Sequence, residues 1–380
     1  MIKVAYLGIK GLPSKGGAER VVEAIVGQLA SQIQPTVYCG RDYTPADYRA
    51  LPVRLIRLPT LPGKHLRPLS LFVLSALHAL LRGDYDVVHL HNAEACFMAP
   101  LLRLRFRVLA TSHGQAYARG KWGPGARFLI SLSDYFFIRV PHAVTSVSHP
   151  LARLYRSRYG REVRYLPNGV DRYPVTDVPA ARATLSAHGV QGPYLIFVAG
   201  RIDPTKGCHL LIEAFQRVQT DWPLVVVGDS GTVPAYGEEL RRLADSRVRF
   251  IPFVASKAEI LGLMEQAQLL IFPSLVEAMS MVLLEAASLG VPLVASDIPE
   301  NTSILKEPHC LYFRSGEVGD LAQKLVYALA HPAAMQARGQ AARLWVQRRF
   351  SWETIAGQYA ELYRELLAGS GGAEVRPCGN

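Results

Sequence analysis

The stretch FPSLVEAMSMVLLEAASLGVPLVASD, residues 272–297, decides the fold of this chain. The apolar strand QLLIFPS ends at residue 274, a short turn follows, and a helix is predicted to begin near Met279. Apolar residues recur in that helix at helical spacing, which directs one of its faces to the core. A second strand, PLVASD, comes next at 292–297. Strands that alternate with helices in this way predict a parallel sheet covered by helices on both faces.

Two carboxylates stand in this stretch. Glu277 lies in the turn before the helix, and Glu285 is expected to project from the side of the helix opposite the core face. Acids favour helix N-termini, which by itself accounts for one glutamate. Upstream, FVAGRIDPTKGCHLLIEAF at 197–215 places Arg201 and Lys206 between another strand and another helix. Both junctions are expected at the carboxyl edge of one sheet. Cations suit a diphosphate and carboxylates suit sugar hydroxyls, so the combination predicts a nucleotide-sugar site.

Length and composition favour two well-packed α/β domains, because the chain has 380 residues, 49% of them hydrophobic and only 19% charged. The five cysteines are scattered and form no C-x-x-C pair, which argues against a disulfide framework or a structural zinc site. They indicate a reducing, cytoplasmic compartment. The first residues, MIKVAYLGIKG, read as a core strand and not as a signal peptide.

The alternation of strands and helices predicts two doubly wound, Rossmann-like domains. We expect the first at residues 1–170, the second at 171–350, a C-terminal helix at 351–368 that packs back on the first domain, and a disordered tail at 369–380. The segment 167–192 is rich in Pro, Gly and Asp and is expected to connect the domains.

The charge distribution indicates what the first domain meets. The net charge is +11, and residues 54–127 hold eleven Lys and Arg against three acids. Such a surface suits anionic lipid or a phosphorylated substrate, and no nucleic-acid-binding motif accompanies it. PLSLFVLSALHALLRG at 68–83 is shorter than the ~20 residues that span a bilayer. It is expected either as a buried core helix or as an apolar face that lies on a membrane beside the basic region.

The first domain offers two further candidates. GLPSKGGAER at 11–20 opens the first helix without a G-x-G-x-x-G pattern; Gly16 and Gly17 either let backbone amides approach a bound group or form a turn without a ligand. His113 ends a strand, where α/β proteins place binding groups, and a structural histidine is the alternative. His89 and His91 alternate toward one strand face, but no third ligand stands near them in sequence, so no metal site is predicted.

Five elements occur in the expected order between residues 167 and 367, namely PNGVD, GRIDPTKG, VGDSG, the E-x7-E pair and FSWETIAGQYAELYRELL. Together they resemble retaining glycosyltransferases of family 4, also called glycosyltransferases group 1, whose GT-B fold sets two Rossmann-like domains around a cleft. The resemblance implies transfer of a sugar from a nucleoside-diphosphate sugar to a hydroxyl acceptor, lipid-linked or part of a cell-envelope glycan. It implies no cofactor and no metal, and it suggests a cytoplasmic enzyme that is peripheral on the inner membrane face.

The resemblance also implies roles for single residues. Arg201 and Lys206 would bind the donor diphosphate and stabilise the leaving nucleoside diphosphate. Glu277 would contact the donor sugar, Glu285 the ribose hydroxyls, and His113 would lie close to the donor sugar. The remaining donor-binding positions implied in this way are the glycine pair Gly16 and Gly17, Val254 in the loop that brackets the base, and Met279 and Ser280, which replace the residues usual in the family.

Two other classes share part of this pattern. A GT-B-like nucleotide-sugar epimerase or hydrolase has the same two domains and should carry additional acids and histidines in its cleft. A non-catalytic protein that binds nucleotide sugars or membrane surfaces could keep Arg201 and Lys206 but lose Glu277 or His113. Both Glu277 and His113 are present, which favours the transferase.

Overall fold

The computed structural model describes residues 1–14, 16–63, 66–114 and 124–369, with the side chains of 124–131 left aside. The chain folds as two compact units. The first comprises Met1–Asn168 and resumes at Trp352, and the second is Gly169–Ser351. The boundaries expected from the sequence, 170 and 350, lie beside these. Residues 370–380, where a disordered tail was predicted, lie outside the described residues.

The first unit is a parallel sheet with helices on its faces. Its strands are β1 Ile2–Leu7, β2 Ile33–Gly40, β3 Arg54–Leu58, β4 Val87–His91, β5 Arg107–Ser112, β6 Ala143–Ser146 and β7 Arg164–Tyr165. Its helices are α1 Gly17–Leu29, α2 Leu66–Arg82, α3 Ala99–Arg103, α4 Pro124–Arg139 and α5 His149–Tyr159, together with the last helix of the chain, Trp352–Leu367. The strands are ordered β3-β2-β1-β4-β5-β6-β7.

The second unit repeats this plan. Its strands are β8 Leu195–Arg201, β9 Leu224–Asp229, β10 Val248–Ile251, β11 Leu269–Phe272, β12 Leu293–Ser296 and β13 Leu311–Phe313. Its helices are α6 Val178–Ala187, α7 Cys208–Gln216, α8 Pro234–Leu243, α9 Lys257–Glu265, α10 Met281–Leu289, α11 Pro299–Ile304, α12 Val318–Ala330 and α13 Pro332–Arg349, so the helix at Trp352–Leu367 is α14. The strands are ordered β10-β9-β8-β11-β12-β13 and pair in parallel.

Both units are doubly wound, which confirms the predicted fold class. Strands buried on both faces should be continuously apolar, and in β9 the run Leu224–Val227 is fully buried. In each sheet the strand order reverses once, between β1 and β4 in the first unit and between β8 and β11 in the second. Doubly wound proteins bind ligands in the crevice that forms at this reversal, beyond the carboxyl ends of the strands.

The segment 167–192 is more ordered than its composition suggested, because it contains α6. The Asp177 side chain caps this helix by accepting a hydrogen bond from the Ala180 N–H at 3.0 Å. Pro179 stands in its first turn, where a missing N–H costs nothing. The Pro and Asp residues that were interpreted as a connection are therefore signals for a helix start.

Helix α2 was expected either as a buried core helix or as a helix with an exposed apolar face, and it has features of both. One face is buried through Leu71, Ser75, Ala76 and Ala79. The opposite face carries leucines that are 37–80% exposed, namely Leu66, Leu69, Leu74, Leu77 and Leu81. The helix therefore belongs to the core on one side and presents an apolar surface on the other.

Candidate functional site

The loops that follow β8 and β11 flank the strand-order reversal of the second unit. These strands are adjacent, with Leu195 opposite Leu269. Arg201 is the last residue of β8, Lys206 lies in the loop that follows it, and the loop after β11 carries Glu277. The Leu275 N–H donates to the Thr205 carbonyl at 2.8 Å, which ties the two loops together.

Lys206 and Glu277 meet across these loops. The Lys206 Nζ lies 2.6 Å from the Glu277 Oε1, and the two side chains are only 26% and 11% exposed. A carboxylate beside a partly buried ammonium offsets part of the cost of removing that group from water. The structure thus brings together two candidate residues that stand 71 positions apart in the chain.

Gly207 makes this close approach possible. Its φ is +67°, and a Cβ at this position would lie 2.1 Å from the Pro273 carbonyl oxygen. A side chain would therefore be strained by the backbone conformation and would also push the β8 loop away from the β11 loop. The glycine that ends the GRIDPTKG element therefore lets the two loops that carry Lys206 and Glu277 approach each other closely.

Asp203 holds Arg201, and this role was not predicted from the sequence. The Asp203 Oδ2 accepts a hydrogen bond from the Arg201 Nε at 2.9 Å, and its Oδ1 accepts from the Thr205 N–H at 3.0 Å and from the Thr205 hydroxyl. Burial alone would raise the pKa of Asp203, but the hydrogen bonds of Thr205 and the Arg201 charge outweigh it and lower the pKa. The carboxylate stays ionised and fixes the guanidinium, which is 43% exposed.

The acidic helix begins two residues later than expected. Ser280 is the N-cap of α10, and its hydroxyl accepts from the Leu283 N–H at 3.2 Å. Serine is a preferred N-cap, which explains why the helix starts at Met281 and leaves Met279 in the turn. Met279 and Ser280 thus stand between Glu277 and the helix, and both are buried.

The expectation that Glu285 projects from the side of the helix opposite the core is wrong, because this residue is only 6% exposed. Helix α10 packs against both α9 and α13, and a helix covered on several sides buries residues all around. The Lys257 Nζ lies 3.5 Å from the Glu285 Oε1 and 3.4 Å from the Asp171 Oδ2. Lys257 is the first residue of α9, so its loop, which includes the half-buried Val254, lies near Glu285.

Glu300 is a second acid that sequence reasoning missed. It lies in the first turn of α11, directly after β12 at the carboxyl edge of the sheet. Burial and the nearby Glu277 charge raise its pKa. The signal that could have found it is its place after a strand end, since β12 neighbours β11 in the sheet.

In the first unit, the glycine pair opens α1. Gly16 is its N-cap, with φ −147° and ψ 173°, and Gly17 is its first residue. Neither has the left-handed conformation that demands glycine. A Cβ at Gly17 would meet nothing within 4 Å, whereas one at Gly16 would meet the Glu19 carboxylate at 2.5 Å. The open space beside Gly17 suits the approach of a bound group to the helix N-terminus.

His113 follows β5 and pairs with another histidine. Its Nε2 lies 2.9 Å from the His91 Nδ1, and the two rings are stacked with their centroids 5.2 Å apart. Burial lowers the pKa of His113 to about 4, so the ring is neutral at pH 7. His91 is completely buried at the end of β4, beside the strand-order reversal of the first unit.

Metal ligands do not cluster in the described part of the chain. No group of three or more His, Cys, Asp and Glu side chains that could hold an ion occurs among those residues. His89 and His91 do lie side by side, with ring centroids 4.0 Å apart. The His89 ring is hydrogen-bonded to Thr111 of β5 and to Tyr363 of α14, and the His91 ring is hydrogen-bonded to His113.

Two family profiles match the chain, one over each unit. Residues 15–172 match the profile described as Glycosyltransferase Family 4, and residues 192–331 match that of Glycosyl transferases group 1. A glycogen synthase of Mycobacterium tuberculosis is 27% identical over 308 residues, covering 77% of this chain and 71% of that protein. A phosphatidyl-myo-inositol mannosyltransferase of the same organism is 28% identical over 313 residues, covering 77% and 76%.

Solved structures share the fold over almost the whole chain. The sucrose-phosphate synthase from Thermosynechococcus elongatus has a TM-score of 0.80 at 24% identity, covering 97% of this chain and all of that one. The Anabaena protein HepE, solved in complex with UDP-glucose, has a TM-score of 0.79 at 19% identity, covering 96% of this chain and all of that one.

Replacing Gly207 by alanine should destabilise the protein more than its backbone conformation alone explains. Gly189 has nearly the same φ, +71°, with nothing within 4 Å of a Cβ, and serves as the matched control. Gly189→Ala should cost about 1–2 kcal/mol for the left-handed conformation. Gly207→Ala should cost about 1–3 kcal/mol more because of the clash with Pro273. Urea unfolding of both variants measures the difference, and equal costs would show that the two loops do not need this approach.

Proposed function

Because the chain belongs to the glycosyltransferases of family 4, we propose that it moves a sugar, with retained anomeric configuration, from a nucleoside-diphosphate sugar to a hydroxyl acceptor. That the chain is a glycosyltransferase follows from its family; the donor, the retention and the acceptor class are the proposal. The observation that carries it is the pairing of Lys206 with Glu277 at 2.6 Å, beside Arg201. A cation for a phosphate and a carboxylate for sugar hydroxyls thus stand at one end of the sheet.

Arg201 and Lys206 are proposed to stabilise the leaving group. Asp203 accepts a hydrogen bond from the Arg201 Nε. The two terminal nitrogens of the guanidinium can then donate the pair of parallel hydrogen bonds that a phosphate accepts. Lys206 has three N–H donors, and Glu277 takes one of them. Negative charge grows on the diphosphate as the sugar leaves, and cations already in place stabilise that charge without reorganisation.

Glu277 and Glu285 are proposed to bind different parts of the donor. Glu277, in the turn before α10, would accept hydrogen bonds from the transferred sugar, with Met279 and Ser280 beside it. Glu285, which lies within α10, would accept hydrogen bonds from the ribose hydroxyls. The loop that contains Val254 would bracket the base, which agrees with the contact between Lys257 and Glu285.

The first unit is proposed to supply His113 to the donor sugar and the Gly16–Gly17 amides to the diphosphate and the acceptor. Retention requires the acceptor to attack from the face that the leaving group departs from. The anomeric C–O bond to the phosphate breaks, a bond to the acceptor oxygen forms, and the acceptor proton passes to the departing phosphate oxygen. This scheme needs no other base.

The acceptor is proposed to be presented at a membrane surface. One relative is named for its action on phosphatidyl-myo-inositol, a lipid. The exposed leucines of α2 form an apolar surface, Arg82 lies in the last turn of this helix, and the Arg105 guanidinium donates to the Leu80 carbonyl of the same helix. Leucines flanked by arginines fit the boundary between acyl chains and anionic headgroups. No described helix combines the length and hydropathy needed to cross a bilayer.

Neither competing class gains support. The profiles that match both units are those of transferases, which does not favour a nucleotide-sugar epimerase or hydrolase. A protein that only binds nucleotide sugars could lose Glu277 or His113, and this chain keeps both. Screening UDP-, GDP- and ADP-sugars for release of the nucleoside diphosphate, with and without lipid extracts, tests the proposed reaction directly.

Arg201→Ala or Lys206→Ala should lower kcat by about 10²–10³-fold, because each removes a charge that acts on the departing diphosphate. Arg217→Ala is the matched control, since Arg217 is an exposed cation at the other end of α7. Turnover is measured at saturating donor, with thermal unfolding to check the fold. A variant that keeps wild-type kcat would contradict the leaving-group assignment.

Activity should survive exhaustive treatment with EDTA, because side-chain cations take the place that a divalent ion holds in metal-dependent transferases. The measurement is nucleoside-diphosphate release before and after chelation. Activity that disappears and returns with magnesium or manganese would overturn metal independence.

Vesicles with anionic lipid should carry the protein upward in a flotation gradient at low salt, and added salt should weaken the effect. The double variant Leu77→Glu/Leu81→Glu should stay at the bottom. Leu344→Glu is the matched control, because Leu344 is a 57% exposed helical leucine of the second unit. Equal behaviour on neutral and anionic vesicles, or no flotation, would favour instead a basic surface that binds a phosphorylated or acidic acceptor.

A further inference from the structure

A layer of buried polar side chains lies in the first unit behind His113. The His91 Nδ1 lies 2.9 Å from the His113 Nε2. The His89 ring lies against that of His91, with its Nδ1 2.9 Å from the Tyr363 hydroxyl and its Nε2 2.6 Å from the Thr111 hydroxyl. His89, His91 and Thr111 are completely buried, so none of these groups exchanges its partners for water.

The His91 ring is packed among other rings. Its neighbours are the rings of His89 at 4.0 Å, His113 at 5.2 Å and Tyr6 at 5.9 Å between centroids. The Tyr6 hydroxyl in turn lies 3.1 Å from the Tyr363 hydroxyl, so that α14 closes the layer from behind. Within this layer the His91 Nδ1 is directed at the His113 Nε2, 2.9 Å away.

The two rings share one proton in their hydrogen bond. Burial lowers the pKa of both His91 and His113, so both are neutral and each carries a single N–H. Either His91 donates from Nδ1, or His113 donates from Nε2. The second arrangement would place the other His91 proton on Nε2, which has no partner among the described residues and is buried. A buried N–H without an acceptor is rarer and costlier than a buried ring nitrogen without a donor. The arrangement in which His91 donates from Nδ1 is therefore favoured.

We infer that His91 is a positioning residue for the transfer reaction: it donates its Nδ1–H to the His113 Nε2 and so fixes His113 in the form that carries its proton on Nδ1. His113 then meets its ligand as a hydrogen-bond donor and not as a base. The class of group that it recognises is an oxygen acceptor, such as a hydroxyl or ring oxygen of the transferred sugar. This inference rests on the proposed function only for the identity of that ligand.

The tautomer is measured on the wild-type chain by NMR of ring-¹⁵N-labelled histidine near pH 7.5, with His113→Gln to assign the signals. A proton on Nδ1 and a bare Nε2 at His113 are the expected result. A proton on Nε2 would overturn the inference whatever the enzyme's activity. This measurement needs no substrate, so it stands even if the proposed donor is wrong.

The functional consequence is measured with His91→Phe, which keeps a ring without the N–H, and His91→Asn, whose amide N–H reaches the position of Nδ1. For the nucleoside-diphosphate sugar that turns over fastest, His91→Phe should lower kcat by about 10–100-fold, as losing the partner that orients a functional histidine commonly does. The donor KM should change much less, and His91→Asn should restore most of kcat.

The outcomes separate the two claims. If His91→Asn is as defective as His91→Phe while both melt like the wild type, the hydrogen bond does not act as inferred. If His91→Phe keeps the wild-type kcat, the positioning role is likewise wrong. If the Nδ1 proton is found but His113→Gln keeps full turnover, the orientation stands and the assignment of His113 to the donor sugar fails.

Discussion

The ion pair between Lys206 and Glu277 is the constraint on which the second unit's site depends. It spans the point where the strand order reverses, and three separate features enforce it. The Leu275 N–H bonds to the Thr205 carbonyl, Gly207 admits the Pro273 carbonyl, and Asp203 fixes the turn that ends at Lys206. Both partners are partly buried, and removing either would leave a charge with its desolvation cost uncompensated. The pair therefore keeps each charged group ordered for the ligand.

In the first unit, the candidate residue His113 is held by neutral groups and not by an ion pair. Burial lowers the pKa of His113, and its ring is hydrogen-bonded to His91, with other packed rings behind it. Tyr363, from the last helix of the chain, completes that layer through His89. This explains why the chain returns to its first unit at Trp352: α14 contributes buried hydroxyls as well as apolar surface.

The local chemistry of strand ends could be predicted from the sequence because it depends on short-range order. Arg201, Lys206 and Glu277 each follow an apolar strand, and parallel strands bring such ends to one edge. Glu285 was misplaced because periodicity shows which face of a helix is apolar but not how many neighbours cover it. The start of α10 was misplaced for a different reason, since Ser280 was interpreted as a helical residue and not as a cap.

Partners that are distant in sequence escaped prediction altogether. The His91–His113 bond depends on the adjacency of β4 and β5 and on side-chain direction, and the contact of Lys257 with Glu285 depends on how α9 packs on α10. Helix α6 was missed because Pro and Asp mark helix starts as well as connections. In each case the missing information was tertiary, and a single sequence carries it only weakly.

Each candidate donor-binding cation of the second unit is paired with at least one carboxylate. Arg201 is paired with Asp203, Lys206 with Glu277, and Lys257 with Glu285 and Asp171. These groups carry no net positive charge, so a diphosphate is not attracted by an excess of cations. On the proposed function, a diphosphate would meet cations that are paired with carboxylates and that have further N–H groups to donate. Stabilisation that comes from preoriented dipoles grows with the charge that develops on the leaving group. On the proposed function, the carboxylates beside the cations would weaken simple attraction but would hold the cations in place for a departing diphosphate.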